Sequence, residues 1–322
     1  MGGTIASVGK NSLDILDYSA TGTMLPVGDL LGAFPELHDV AEIKLVEMDA
    51  VPSTRVFFPE WNKVIEHVRQ LVQKVPELDG IVITHGTATL EETAYFLNLT
   101  LHIELPVVIV GSQRPMNALS SDAGMNLINA VRTAGSESSR GLGVLVVLND
   151  EIQAAREVTK TATHRLQTFR TPDFGLLGQV DGEVVTYYRG PIRRRMPDTE
   201  FHVESLDSLP RVDIVYAYTG SDGTAASAFI EAGAQGLVSA GFAPGFCGPG
   251  ERKILIEAVR RGVVVVQSTR VGSGQVFQNS LITRDGFLSA DNLNPQKARL
   301  LLALALTVTQ DPTEIARIFA EY

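Results

Sequence analysis

The sequence predicts an α/β protein in two units, each a sheet flanked by helices, and three observations carry that prediction. Short apolar runs without alternation at residues 81–83 (IVI), 107–110 (VVIV) and 142–148 (LGVLVVL) read as strands buried on both faces. Helical patterns separate them, the order of elements that builds a parallel sheet covered on both sides. Beyond a stretch at 190–210 where apolar periodicity stops, the alternation of strand and helix begins again. The expected division is a large unit over 1–189, a linker over 190–210 and a smaller unit over 211–322.

Taken in order, the chain opens with Met1-Gly2-Gly3-Thr4, a turn that lets backbone approach a ligand closely and offers a hydroxyl at once. Residues 8–23 are small and polar and read as a mobile loop, with Tyr18 the one aromatic able to carry a proton. Residues 43–48 (IKLVEM) alternate as a strand does; a loop with Ser53, Thr54 and Arg55 follows. Apolar spacing from Trp61 to Val72, with Pro59 at the start, predicts a helix over 59–73.

The central stretch is 79–98 (DGIVITHGTATLEETAYFLN). Its strand runs into Thr84-His85-Gly86, and Thr89 with Glu92 three residues on predicts a capping box. Thr87 then falls in the strand-to-helix crevice, where free N–H groups favour an anion and where open α/β sheets bind ligands. A further strand over 107–110 leads into Gly111-Ser112-Gln113-Arg114-Pro115, and a helix is predicted over 121–134. Residues 149–163 follow the strand at 142–148 and carry Lys160 between two threonines, a lysine that burial could tune into a base. In the second unit strands are expected at 212–218, 236–240 and 263–267. Helices are expected at 224–232, 250–261 and 295–307, the last signalled by Asn294-Pro295.

Composition sets limits. The 322 residues, 44% hydrophobic and 20% charged, suffice for one large or two medium cores. A net charge of −10 lacks the basic footprint of a nucleic-acid-binding surface, and the compact cluster Arg193-Arg194-Arg195 reads as solvated linker. The single cysteine, Cys247, rules out an intrachain disulfide and a cysteine metal cluster; six histidines without ligand spacing give no sign of a metal, and no cofactor is expected. No apolar run reaches the length of a membrane span and no signal-peptide pattern is seen. A soluble, cytoplasmic protein is expected, with a periplasmic or secreted location left open.

Six segments, in order, resemble the bacterial L-asparaginase/glutaminase family. They are GGTIAS at 2–7, THGTATLEETAYFLNLT at 84–100, VGSQRP at 110–115, SDAGMNLINAV at 121–131, VTKTATHRLQTF at 158–169 and LNPQKARLLLALALT at 293–307. The resemblance implies a doubly wound, mostly parallel N-terminal domain with a smaller α/β C-terminal domain. It also implies a homotetramer built from intimate dimers, and hydrolysis of a small carboxamide to carboxylate and ammonia through an acyl-enzyme. Thr4 then matches the usual nucleophile, Tyr18 its assisting tyrosine, and Thr87 and Lys160 two members of a Thr–Lys–Asp group. Ser53, Thr54, Arg55, Gly86, Ala88 and Ser112 line up with the substrate site.

The sequence also departs from the pattern. Ala88 stands where the family motif His-Gly-Thr-Asp-Thr has Asp, Thr54 and Arg55 follow Ser53 where Gln-Asp or similar pairs are usual, and the stretch 278–283 lacks the glutamate that many members lend to a neighbouring subunit. Desolvating an ammonium without partners costs several kcal/mol. The expectation is therefore that free L-asparagine is a poor substrate, and that a carboxamide without the α-amino group, or with a carboxylate for Arg55, fits better. The family also carries a strand leading into Gly-Gly-Thr where this sequence has Met1 alone; loss of that strand would expose a sheet edge and misplace Thr4, and only if Thr4 is not held would attack fall to Thr87. Two alternatives stand beside the amidohydrolase: hydrolysis of a cyclic amide or imide at the same site, and a non-catalytic ligand binder.

Overall fold

The computed structural model describes residues 1–322, Thr21 by its backbone alone, and divides into two compact units, Met1–Thr199 and Glu200–Tyr322. The first unit opens with β1 (Ser7–Val8), α1 (Tyr18–Thr21) and β2 (Thr23–Met24), with β1 and β2 paired antiparallel. Residues 8–23, expected as a mobile loop, are thus tied to the unit. The Asn117 carboxamide bonds both the N–H and the C=O of Gly9 at 2.8 Å, and the Leu119 N–H donates to Ser12 C=O. The helices α2 (Val27–Gly32) and α3 (Leu37–Val40) then bury Leu30 and Leu37.

Residues 43–48 form no strand, which corrects the reading of their alternation. A strand exists by pairing, and among the described residues none pairs with this segment. Alternation supplies a face, not a neighbour. Next comes α4 (Phe58–Lys74), with Pro59 in its first turn and Trp61, Val64, Ile65 and Val68 buried.

The parallel centre of the sheet is β3 (Ile81–Thr84), α5 (Leu90–Thr100), β4 (Val107–Val110), α6 (Ala123–Gly135) and β5 (Val144–Leu148), in register Ile81↔Val107↔Val144. The strands are almost wholly buried, which is why they read as bare apolar runs. Asn149 and Asp150 then both take the left-handed conformation, φ 55° and 62°, the geometry of a two-residue hairpin turn. The chain reverses into β6 (Glu151–Ala154), paired antiparallel to β5. A short ribbon of β7 (Thr159–Lys160) and β8 (Phe169–Arg170) follows, then β9 (Gly178–Asp181) and β10 (Val184–Tyr187). The six-stranded order is β10-β9-β6-β5-β4-β3, a parallel half extended by an antiparallel half.

The boundary at Thr199/Glu200 falls inside the stretch expected as linker. The arginine cluster there is not solvated linker. The Arg195 guanidinium donates to the carbonyls of Gly141, Pro191 and Arg193, and Met196 is buried. A guanidinium offers five donors, and a segment poor in periodic partners uses them to hold backbone.

In the second unit β11 (Val212–Tyr216), α7 (Thr224–Glu231), β12 (Gly236–Gly241), α8 (Pro249–Arg260) and β13 (Val264–Thr269) alternate. They are followed by α9 (Ser280–Asp285), β14 (Leu288–Ser289), α10 (Pro295–Val308) and α11 (Pro312–Glu321). Its four strands are parallel in the order β11-β12-β13-β14, with α10 packed across β11, β12 and β13. Asn294 caps α10 as expected, its side-chain oxygen accepting the Lys297 N–H at 3.1 Å.

Candidate active site

Two Gly–Thr turns in the first unit are packed glycine against glycine. Gly3 has φ 101°, a conformation that suits glycine, and a Cβ built there would lie 2.2 Å from Gly86 Cα. A Cβ on Gly86 would in turn lie 2.7 Å from Ser53 Oγ. Because neither glycine carries a side chain, the residues that follow them, Thr4 and Thr87, are brought to the same place. Ile5, fully buried, anchors the first turn, so Thr4 is held, contrary to the expectation that it would be poorly placed.

Each threonine has its own proton partner. Thr4 Oγ1 lies 2.9 Å from the Tyr18 hydroxyl, and either oxygen can donate. Lys160 Nζ, arriving on β7, donates to Thr87 Oγ1 at 2.8 Å. Burial pushes the Lys160 ammonium below its ordinary range, opposed by the carboxylate of Glu91, so the amine is shifted toward the neutral form a base requires. Thr87 itself is buried at the C-terminal end of β3, and no protein acceptor meets its backbone N–H among the described residues. A free N–H between strand and helix, beside a hydroxyl, suits the oxygen of a carbonyl that becomes anionic.

The capping box at Thr89 is not formed. Thr89 stands at the N-cap of α5, but its hydroxyl donates to Ser53 C=O at 2.8 Å instead of accepting from the helix. The Ser53 hydroxyl accepts the Ala88 N–H at 3.3 Å. Tertiary contact has taken the hydroxyl that local sequence assigned to the cap, and it uses it to fasten the loop over 53–55 to the helix start. Thr54, Arg55 and Ala88 are exposed at this rim. Ser112 is fully buried and donates to Arg114 C=O, a bond that shapes the loop after β4. That loop is held by Asp122, which accepts the N–H groups of Gln113 and Arg114.

Sequence reasoning passed over Glu91, Asp122 and His85. Glu91 carries a weak signal, an acidic residue in the first turn of α5; Asp122 acts on the backbone of Gln113 and Arg114, and His85 on Thr93 and Gly86, at spacings that no local motif marks. His85 is wholly buried, and burial lowers its pKa to about 4, so it is neutral at physiological pH.

Comparison with known proteins bears on this arrangement. Residues 1–193 match the family described as asparaginase, N-terminal, and residues 211–319 match the glutaminase/asparaginase C-terminal domain. The chain is 43% identical to L-asparaginase 2 of Bacillus subtilis, over all of this chain and 84% of the relative. It is 42% identical to a protein of Haemophilus influenzae named probable L-asparaginase periplasmic, covering all of this chain and 91% of the other. Among solved structures, the probable cytoplasmic L-asparaginase from Campylobacter jejuni superposes with a TM-score of 0.94 at 39% identity, covering all of this chain and 98% of that one.

Proposed function

The chain belongs to the asparaginase/glutaminase family, amidohydrolases acting on the carbon–nitrogen bonds of amides, and on that premise we propose that Thr4 attacks the side-chain carboxamide of a small amino acid such as L-asparagine. The observation that carries this reading is the pairing of each motif threonine with a proton carrier across packed glycines. In the first half, Thr4 Oγ bonds to the amide carbon and the carbonyl π pair moves onto oxygen, facing the Thr87 N–H. The Tyr18 oxygen takes the Thr4 proton and passes its own to the leaving nitrogen, and ammonia departs as the carbonyl reforms. The product is a threonine ester. Water then adds to the ester carbon as its proton passes to Thr87 Oγ1, whose own proton goes to the Lys160 amine, its proton affinity lowered by burial. The ester C–O bond breaks, and the Thr4 oxygen takes back a proton from Tyr18, which solvent restores.

A homotetramer and a cytoplasmic location are part of the same reading. Leu13, Leu16 and Ile192 in the first unit and Phe277 in the second are large apolar side chains left exposed, which supports assembly of copies. The cytoplasm is supported by likeness to the Campylobacter protein, though relatives are named from both compartments. Among the described residues no helix is long and apolar enough to cross a membrane.

The test is ammonia release from L-asparagine, L-glutamine, succinamate and glutaramate side by side, with hydroxylamine added to divert the ester to a hydroxamate. Turnover of L-asparagine with hydroxamate formation, both lost in Thr4→Val, is the expected result; this replaces the poor turnover expected from the sequence, because relatives as similar as 43% identical over the whole chain are named L-asparaginases. Preference for succinamate or glutaramate would return the site to one without α-ammonium partners, as Ala88 and Arg55 suggest by sequence. No ammonia from any of the four would overturn the reading in favour of ring opening or simple binding.

A further inference from the structure

Behind the Thr87 turn lies a line of buried hydrogen bonds that the chemistry above does not use. The Trp61 Nε1–H of α4 donates to Thr93 Oγ1 of α5 at 2.8 Å. The same oxygen lies 2.9 Å from His85 Nε2, and His85 Nδ1 lies 2.7 Å from Gly86 C=O. All four residues are buried, and Trp61 is fixed further by stacking on Phe96 with ring centroids 4.4 Å apart.

The directions of these bonds are set at both ends. A backbone carbonyl only accepts, so His85 Nδ1 must carry the proton. An indole N–H only donates, so Thr93 Oγ1 accepts from Trp61 and has its own proton to give. In the neutral imidazole Nε2 is then the acceptor, and the Thr93 hydroxyl donates to it. The line therefore reads Trp61 N–H to Thr93 O–H to His85 Nε2, and His85 Nδ1–H to Gly86 C=O. A charged ring would place two donors on Thr93 and leave its hydroxyl proton without a partner; the low pKa of about 4 that burial imposes agrees with the neutral form.

The end of the line is the peptide joining Gly86 to Thr87. In a planar trans peptide the C=O and the following N–H point in opposite directions. A bond that pulls Gly86 C=O toward His85 therefore turns the Thr87 N–H the other way, away from the His85 side. Glycine at 86 leaves this peptide free to rotate unless something holds it.

We propose that His85, kept as its Nδ1–H tautomer by Thr93 and Trp61, is a positioning residue that aims the Thr87 N–H at the anionic oxygen of the reaction. Its kinetic consequence rests on the amidohydrolase reading; its structural content does not. Thr93 and Trp61 act through His85 and touch no substrate.

The experiment has two arms. Magic-angle-spinning NMR of wild-type protein labelled with 15N in its six histidines reads the tautomer directly, and the His–Gly pair, which occurs once in the chain, gives the assignment. The expected result is a protonated Nδ1 and a bare, hydrogen-bonded Nε2 on His85 at pH 7.5. A protonated Nε2, or a ring protonated on both nitrogens, overturns the proposal whatever the enzyme turns out to hydrolyse. In the second arm, Thr93→Val removes the hydroxyl at nearly constant volume and Thr93→Ser restores it. Misaiming a donor costs less than removing one, for which roughly 10²-fold is usual. Thr93→Val is expected to lower kcat about tenfold with KM within about twofold, and Thr93→Ser to stay within about twofold of wild type in both. If Thr93→Val folds and keeps the wild-type kcat, the line is structural only and the proposal fails. Should Thr93→Val not fold, Trp61→Phe, which leaves the stacking surface, is read by the same NMR shifts and the same kcat-to-KM split. Wild-type values of both there would likewise defeat it.

Discussion

Replacing Gly3 by alanine tests whether glycine-to-glycine packing is what brings the two threonines together. The added methyl would sit 2.2 Å from Gly86 Cα and 2.4 Å from Gly86 N, both rigid backbone, with His85 C at 3.1 Å. Carbon atoms in ordinary contact stand about 3.5–4.0 Å apart, so the turns must part by more than about 1 Å. The alanine would also hold φ near 101°, where a β-carbon is disfavoured. A misplacement of about 1 Å can cost roughly 10²-fold in rate, equivalent to about 2.7 kcal/mol in the barrier. We expect kcat for ammonia release, followed by coupled oxidation of NADH with glutamate dehydrogenase, to fall about 100-fold in protein that retains its native circular dichroism. Gly182→Ala is the control: φ is 61° but nothing lies within 4 Å of its Cβ, so it bears strain without collision. Its stability should drop by about 1 kcal/mol with kcat unchanged. A folded Gly3→Ala enzyme keeping half its kcat would refute the packing as the source of the geometry.

Three further outcomes are expected. Lys160→Met keeps the bulk of the side chain but removes the amine on Thr87; kcat should fall by about 10³-fold or more, and near-normal turnover would exclude Lys160 from proton transfer. His85 stays neutral in the folded protein down to about pH 4, whereas in the unfolded chain it takes a proton from about pH 6.5, so the unfolded state binds the extra proton between those values. Stability should therefore fall as pH drops from 6.5 to 4, by on the order of 3 kcal/mol for this group. Urea midpoints compared with those of His85→Gln across that window would expose it, and parallel curves would remove His85 as the cause. Thr89→Val breaks the bond to Ser53 C=O and frees the rim loop; KM should rise several-fold while stability falls by about 1 kcal/mol, and an unchanged KM would mean the loop is held by other contacts.

Much of the architecture is local and was legible for that reason. Bare apolar runs gave the strands from 81 to 148, because residues buried on both faces of a sheet have no polar side to alternate. Asn294-Pro295 marked α10 because the cap is completed within the first turn. The family, too, could be read from segments in order, and both unit descriptions agree with it. What failed were inferences that needed a partner. Residues 43–48 have strand alternation and no strand beside them, and Asn149-Asp150 reverses the sheet only because β6 pairs back on β5.

By itself the sequence determined the class of fold, the bare strands of the parallel centre and the two Gly-Thr motifs that bear the hydroxyls, since these depend on residues within a few positions of one another. Only the tertiary structure decided what those hydroxyls touch. Lys160 meets Thr87 across 73 residues, Gly3 meets Gly86 in a turn remote in sequence, and Thr89 leaves its own helix for Ser53. Each of these is a competition among many possible donors and acceptors, settled by which backbones pack closely enough to exclude the others. Local preference cannot rank such partners, because the bonds themselves are alike in strength and differ only in which geometry the packed core permits.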